Sequence, residues 1–102
     1  MGDLVKPDVN TSPSREELQY LSREMRGEWL GVARDLKITD GDRYSIRTDN
    51  QGREQETIYQ MLLHWKQKFG LKATRSVLAE ALNKNRRDDL ANYILTGVKP
   101  SN

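Results

Sequence analysis

The amino-acid sequence predicts an all-α protein made of six short helices. Large apolar residues recur at the i, i+3, i+4, i+7 spacing of an amphipathic helix, and no segment shows the alternation of a strand. Residues favoured at helix starts and helix ends separate these periodic segments. The chain has 102 residues, of which 35% are hydrophobic and 31% charged, so we expect one domain with a small core under a charged surface.

Both ends of the chain are predicted to lie outside the helices. Residues 1–13 are polar, contain two prolines and show no periodic pattern, so we interpret them as a flexible leader. Residues 98–102 follow Gly97 and include Pro100, and we interpret them as a flexible tail. The predicted domain therefore spans residues 14–97.

The first two helices are separated by Gly27. A capping box formed by Ser14 and Glu17 starts the first helix, which is predicted to run to about Arg26. Its apolar face consists of Leu18, Leu21 and Met25. Tyr20 is predicted to point to the opposite side. The second helix repeats the spacing with Trp29, Val32, Ala33 and Leu36. Its tryptophan is therefore interpreted as a core residue rather than a platform for a ligand.

The third helix has the weakest pattern. Thr39 and Asp40 signal its start, because both residue types are favoured at and near helix N-termini. Its apolar residues are chiefly Tyr44 and Ile46, and the turn-forming residues 49–52 follow it.

The fourth helix has the strongest pattern, and the other helices are expected to pack around it. Within residues 55–69 its apolar stripe consists of Ile58, Met61, Leu62, Trp65 and Phe69. Gly70 follows as a residue suited to ending a helix. Tyr59 and Leu63 lie outside the stripe and are expected to pack against a neighbouring helix. Trp65 is expected to share one core with Trp29.

The last two helices have clear boundaries. Thr74 caps the fifth helix, and residues 83–85 end it. Its predicted apolar face consists of Val77, Leu78, Ala81 and Leu82. The sixth helix ends at Gly97 and carries Leu90, Ala91, Ile94 and Leu95.

The composition argues against an enzyme and against a metal site. The chain has no cysteine and a single histidine, His64, which is interpreted as a surface residue. One histidine without cysteine cannot supply a nitrogen–sulfur metal site, and no nucleophile with an adjacent base or Gly-rich phosphate loop is found. We therefore predict no catalytic residue, no metal, no cofactor and no small-molecule substrate.

The charge pattern favours a binding protein. The formal net charge is +2, with both signs interleaved, whereas a nucleic-acid binder more often shows a one-sided basic stripe. A helical nucleic-acid binder remains an alternative. No apolar run approaches the length of a membrane span, no export signal opens the chain, and the lack of cysteine fits a reducing compartment. We expect a cytoplasmic location.

Read in order, these elements resemble a death domain, the six-helix antiparallel bundle of the death-fold superfamily. The resemblance covers about residues 17–95 and is carried by EWLGVARDLKI, YQMLLHWKQKFG, LKATRSVLAEAL and the closing RDDLA. The middle and C-terminal parts look most like death domains of cytoplasmic adaptors and of the receptor-interacting kinase. Arg43 stands where the family usually has an aliphatic residue, so the third helix would pack less firmly or turn to bury Tyr44 instead. The family's proline near the fourth helix is absent.

The resemblance implies a non-catalytic module that binds other death domains in homotypic or heterotypic oligomers, for apoptotic or innate-immune signalling. The binding face on helices 2 and 3 would include Arg34, Asp35, Asp40, Asp42, Arg43 and Arg47. The opposing surface on helices 1 and 4 would include Arg15, Arg23, Lys66 and Lys68. The loop surfaces would include Asn50, Arg53, Glu54, Lys84, Arg86 and Arg87. A death domain excised from a receptor, kinase or cytoskeletal protein is the alternative within this family.

Overall fold

The described residues form six α-helices, of which the fourth is the longest and packs against the first three. The structure is a computed structural model that describes residues 7–100. The helices are α1 (Arg15–Glu24), α2 (Trp29–Asp35), α3 (Asp40–Asp49), α4 (Glu54–Phe69), α5 (Arg75–Lys84) and α6 (Asp88–Thr96). A single 3-10 turn, Gly70–Lys72, joins α4 to α5. Within the described residues no strand is present, which confirms the all-α prediction.

The core lies where the apolar faces of the helices meet. The α4 helix packs against α1 on one side and α3 on another, while α5 packs against α6 and α2. Trp29 and Trp65 are both buried in one continuous apolar cluster, as the sequence predicts. Phe69, Tyr59 and Leu63 are partly buried against that cluster. The α4 stripe therefore forms the centre of the bundle.

Side chains cap the starts of three of the six helices, α1, α3 and α5. The capping box at Ser14 and Glu17 is present in full, with both reciprocal hydrogen bonds formed. Thr39 accepts from the backbone N–H of Asp42, and Thr74 accepts in the same way at the start of α5. These bonds satisfy N–H groups that an α-helix leaves without a partner.

Four apolar predictions differ from the structure. Helix α1 ends at Glu24 rather than near Arg26, because Met25 adopts an extended backbone and turns its side chain into the core. Tyr20 does not point away from the protein: its ring packs on that of Tyr93, with 4.6 Å between the centroids. The other two differences concern α3 and α5.

Tyr44 on α3 is 72% exposed, so it does not replace the missing aliphatic residue. Helix α3 instead has no fully buried residue and touches the core through Ile46, which agrees with the prediction of weaker packing. On α5, Val77 of the predicted apolar face is exposed, and Ala79, which lies outside that predicted face, is buried. Leu78, Ala81 and Leu82 are buried as predicted, so the buried face extends around the helix on the side of Ala79 rather than on the side of Val77.

The part of the predicted leader that the structure describes, residues 7–13, contacts the bundle. Backbone oxygens of Thr11 and Val9 accept hydrogen bonds from the N–H groups of Arg75 and Ser76 at 2.8 and 2.9 Å. Pro13 is buried. Residues 1–6 and 101–102, which complete the predicted leader and tail, lie outside the described residues.

Three helices are followed by a residue other than glycine that has a positive φ, the left-handed conformation that glycine adopts most easily. Lys37, Gln51 and Arg86 have φ values of 67°, 56° and 64° after α2, α3 and α5. In each case the residue after the positive-φ residue donates its N–H to a carbonyl oxygen in the last turn of the helix. For example, the N–H of Ile38 donates to the carbonyl oxygen of Ala33 at 3.0 Å. A residue with a Cβ is strained in this region of backbone space, so all three turns carry a cost that glycine would avoid.

Candidate partner-binding surface

The charged residues predicted to bind a partner divide into two groups in the structure. Some extend into solvent, and others are already bonded within the domain. This division depends on which neighbouring helix each side chain meets.

Arg87 joins α6 to the segment between α1 and α2. Its Nη1 donates to the Glu28 carboxylate and, at 2.9 Å, to the Glu24 carbonyl oxygen. Its Nε and Nη2 donate to the two oxygens of Asp89 at 3.1 and 3.0 Å. The Asp89 and Glu28 bonds raise the pKa of the Arg87 guanidinium above its usual value. Burial opposes ionisation of Glu28, but backbone hydrogen bonds and Arg87 outweigh it and lower the pKa of that carboxyl.

Lys66 on α4 holds the segment that precedes α1. Its ammonium donates to the carbonyl oxygen of Pro13 at 2.7 Å, and its side chain is half-buried. A partner would have to compete with this bond to use the lysine.

Arg43 is folded against its own helix and α2. Its guanidinium pairs with Asp40 and reaches the carbonyl oxygen of Leu30 at 3.5 Å, while its Nε is buried with no hydrogen-bond partner among the described residues. Asp40 itself is almost fully exposed. The Arg43 guanidinium therefore already contacts groups of the domain itself, and a partner would have to compete with them.

A small polar cluster fastens α3 to α4. The Asp42 carboxylate lies 3.1 Å from Nε2 of His64 and 3.5 Å from Nζ of Lys68, both on α4. The hydrogen bond with His64, supported by Lys68, lowers the pKa of Asp42. His64 is thus only partly exposed. Its contact with Asp42 is a polar link between α4 and α3, a helix that has no fully buried residue.

Asp35 connects α2 to α5. Its carboxylate accepts from Nδ2 of Asn85 at 2.9 Å, and the same amide donates to the carbonyl oxygen of Ala81 at 2.7 Å. The two helices approach so closely here that a Cβ on Gly31 would overlap the Asn85 side chain. The acidic group is therefore part of a helix–helix contact.

Two further predicted residues are bonded within their own helices: Lys84 pairs with Glu80 at 3.7 Å, and the Asn50 side chain donates to the carbonyl oxygen of Ile46 at 2.8 Å. The other predicted residues are exposed and form no ion pair among the described residues. They are Arg34, Arg47, Arg53, Glu54 and Arg86. Arg15 and Arg23 on α1 are exposed in the same way. These residues are available to a partner without breaking an ion pair of the domain.

The sequence pattern assigns no role to Leu30 or Leu71, and it places Tyr44 among the apolar residues of the third helix. Leu30 and Tyr44 on α2 and α3, and Leu71 in the 3-10 turn, are all exposed. Their only signal in the sequence is that each is a large apolar or aromatic residue that belongs to no buried stripe. Tyrosine, like arginine, is enriched among the residues that dominate binding energy at protein interfaces, whereas leucine is under-represented there.

Pockets on the surface have volumes of about 110 to 430 Å³. One pocket of about 110 Å³ lies where α2 and α4 begin and α3 ends. Its walls are formed by Gly27, Trp29, Leu30, Arg47, Gly52, Glu54 and Thr57. Among the described residues no cluster of three or more His, Cys, Asp or Glu side chains could hold a metal ion. None of the described helices is both long and apolar enough to cross a membrane.

Comparison with known families gives a match to the family model described as Death domain, over residues 15–98. The matched range begins with α1 and ends just beyond α6, so it contains all six helices. The segment that contacts α5 from before α1 lies outside the match.

Proposed function

Because this chain belongs to the death-domain family, whose members are protein–protein interaction modules, we propose that it assembles signalling complexes by binding other death domains. We further propose that the module is non-catalytic and acts in the cytoplasm, in apoptotic or innate-immune signalling of the NF-κB type. The family supports both statements.

The observation that carries the proposal is the set of exposed arginines with no ion-pair partner among the described residues. Arg34 on α2 and Arg86 after α5 extend into solvent at different places on the bundle. Arginine is favoured at interfaces, and charged surfaces steer like-sized domains together and reject wrong partners. Such surfaces support a partner that presents carboxylates.

Charge reversal at the exposed arginines tests the proposal. Reversal at Arg43 or Lys66 would also break contacts within the domain, so Arg34→Glu and Arg86→Glu are the cleaner variants. We expect each to weaken capture of death-domain proteins and self-assembly, while the helical circular dichroism stays unchanged. Lys72→Glu, which changes an exposed lysine outside the predicted surfaces that forms no ion pair among the described residues, is the matched control.

A direct binding assay separates this function from the nucleic-acid alternative, because both kinds of binding weaken as the salt concentration rises. A gel shift with duplex and single-stranded nucleic acid, run at low and high salt, reports phosphate-driven binding directly. If Arg34→Glu and Arg86→Glu both bind death domains like the wild type, or if only nucleic acid is bound, the proposal is wrong.

We propose that the protein to which this domain belongs is an adaptor. A kinase, effector or membrane-spanning segment beside this domain in a longer chain would instead identify a kinase, receptor or cytoskeletal protein.

A further inference from the structure

We propose that Ser12 is a phosphorylation site, and that a phosphate at this residue releases the segment before α1 from the bundle. This segment comprises residues 7–13 and is docked on the start of α5. Three observations carry the inference: a kinase motif at Ser12, the hydrogen bond that its hydroxyl donates, and the bonds that already engage the neighbouring basic side chains. The release needs no partner protein, so it is independent of the proposed function.

Ser12 is the only serine or threonine of the chain that directly precedes a proline, since Pro7 and Pro100 each follow a lysine. Serine followed by proline is the motif read by proline-directed protein kinases. Many of these kinases favour a basic residue three positions after the serine, where this chain has Arg15. Proline also biases the residue before it toward an extended backbone, the form in which a kinase holds its substrate. Because so short a motif also occurs by chance, the structural setting of Ser12 has to support it.

The Ser12 side chain helps to hold the segment on the bundle. Its hydroxyl donates to the carbonyl oxygen of Ala73 at 2.8 Å. Ala73 is fully buried, so its carbonyl oxygen has no water at hand to replace this donor. The rest of the segment is docked by its two backbone hydrogen bonds with α5, by the bond from Lys66 to Pro13 and by the burial of Pro13. The Ser12 hydroxyl is therefore one of a small set of bonds that keep the segment in place.

Phosphorylation removes this hydrogen-bond donor. The Ser12 Oγ attacks the terminal phosphorus of a nucleoside triphosphate held by the kinase, the bond from that phosphorus to the nucleoside diphosphate breaks, and the hydroxyl proton passes to a base of the kinase. The resulting phosphate ester carries about 1.5–2 negative charges at pH 7 and accepts hydrogen bonds. In the docked segment it would lie beside the Ala73 carbonyl oxygen, which is also an acceptor. The docked form therefore loses a hydrogen bond and gains a repulsion.

Two basic side chains donate to the segment, and both are already engaged. Lys66 is bonded to the Pro13 carbonyl oxygen at 2.7 Å, and Arg75 pairs with Glu17 at 2.6 Å. The Arg75 and Glu17 side chains are only 11% and 13% exposed, so diverting the arginine to a phosphate would leave the glutamate with a half-buried, unpaired charge. The phosphate is better hydrated in water, and it therefore favours the released segment.

The kinase is expected to act on the released form of the segment. Ser12 is half-buried and Pro13 is buried, so an active site cannot enclose them while the segment is docked. A short segment held by a few hydrogen bonds opens locally without unfolding of the core. The rate of phosphorylation then follows the population of the released form. Release also removes the Pro13 bond with which a partner would compete at Lys66.

Phosphorylation of the whole purified chain by a recombinant proline-directed kinase with ATP tests the site. Mass spectrometry should place one phosphate on Ser12, and Ser12→Ala should take up none. Lys66→Met, which loses the bond to Pro13, should be phosphorylated about tenfold faster, the effect of losing one hydrogen bond from a charged group. Lys68→Met is the matched control, because Lys68 lies on the same helix but contacts Asp42 instead. If Ser12 is not phosphorylated, or if both lysine variants react at the same rate, the inference is wrong.

Limited proteolysis of the phosphorylated wild type tests the release itself. Elastase cuts after small aliphatic residues such as Val9, whose carbonyl oxygen is bonded to the N–H of Ser76 while the segment is docked. We expect the bond after Val9 to be cut about tenfold faster once Ser12 carries a phosphate. Ser12→Ala, which loses the hydrogen bond and gains no charge, should be cut at an intermediate rate.

The opposite outcome has a specific physical cause. Lys72 is exposed directly beside Ala73, and it is the side chain that would hold a phosphate on a docked segment. In that case the phosphorylated protein would be cut after Val9 more slowly than the unmodified protein. Slower or equal cutting would overturn the proposed release.

Discussion

Replacement of Arg87 should destabilise the domain, although the sequence indicates a partner-binding role for this residue. Arg87→Ala removes the donor to the Glu28 carboxylate, the donor to the Glu24 carbonyl oxygen and the two donors to Asp89. The Arg87 and Glu28 side chains are each only 22% exposed, so the glutamate would be left with little water to replace its partner.

The size of the expected loss in the free energy of unfolding depends on how far each of these bonds is buried. A hydrogen bond to a charged group contributes about 1.5–3 kcal/mol, and the half-buried pair with Glu28 belongs in that range. Asp89 is 46% exposed, and an exposed pair of this kind contributes about 0–1 kcal/mol. We expect a loss of about 2–3 kcal/mol in the free energy of unfolding, which lowers the melting temperature by about 8–15 °C.

The neighbouring arginine supplies the control. Arg86 is exposed and forms no ion pair among the described residues, so Arg86→Ala should change the free energy of unfolding by about 0.5 kcal/mol or less. Both variants are measured by urea unfolding followed by circular dichroism. If Arg87→Ala unfolds like the wild type and instead loses partner binding, the assignment of Arg87 to the interior of the domain is wrong.

Three further substitutions test other parts of the structure. Burial opposes ionisation of Glu17, but hydrogen bonds from Arg75 and Ser14 outweigh it and lower its pKa, so its contribution to stability is complete above the unfolded pKa and is lost as the pH falls through the folded pKa. Urea midpoints measured from pH 7 to pH 3 should therefore fall less steeply in Glu17→Gln, and an unchanged slope would contradict this account. The Thr57 hydroxyl is buried without a partner among the described residues, so Thr57→Val should stabilise the domain by about 1 kcal/mol in urea unfolding; a loss would mean that the hydroxyl has a partner. Lys37→Gly should raise the free energy of unfolding by about 0.5–1 kcal/mol, because glycine accepts a φ of 67° without strain, and Lys37→Ala should give no such gain.

The helices and most of the core could be predicted from the sequence because they depend on local pattern. The α4 stripe, the Ser14 capping box and the stop at Gly97 each need only a few neighbouring residues to be recognised. Errors occurred where a distant partner decides the outcome. Tyr20 packs on Tyr93, more than 70 residues away in sequence, and no periodicity in α1 can show that.

The candidate surface was harder to predict for the same reason. Arg86 and Arg87 are adjacent arginines, and nothing local distinguishes them. The fold places Glu28 and Asp89 around the second and leaves the first in solvent. Arg75 has a comparable role: it pairs with Glu17 at 2.6 Å and donates to the carbonyl oxygen of Ile94. Which charges are free for a partner therefore depends on contacts between helices, not on charge pattern.

Because of the hydrogen bonds at the start of α5, two backbone amides can report whether the segment before α1 is docked on the bundle. N–H groups in the first turn of a helix usually lack a partner and exchange quickly with solvent. Here the amides of Arg75 and Ser76 are bonded to Thr11 and Val9. Slow hydrogen exchange at these two amides would show that the segment is docked, and faster exchange there would report its release.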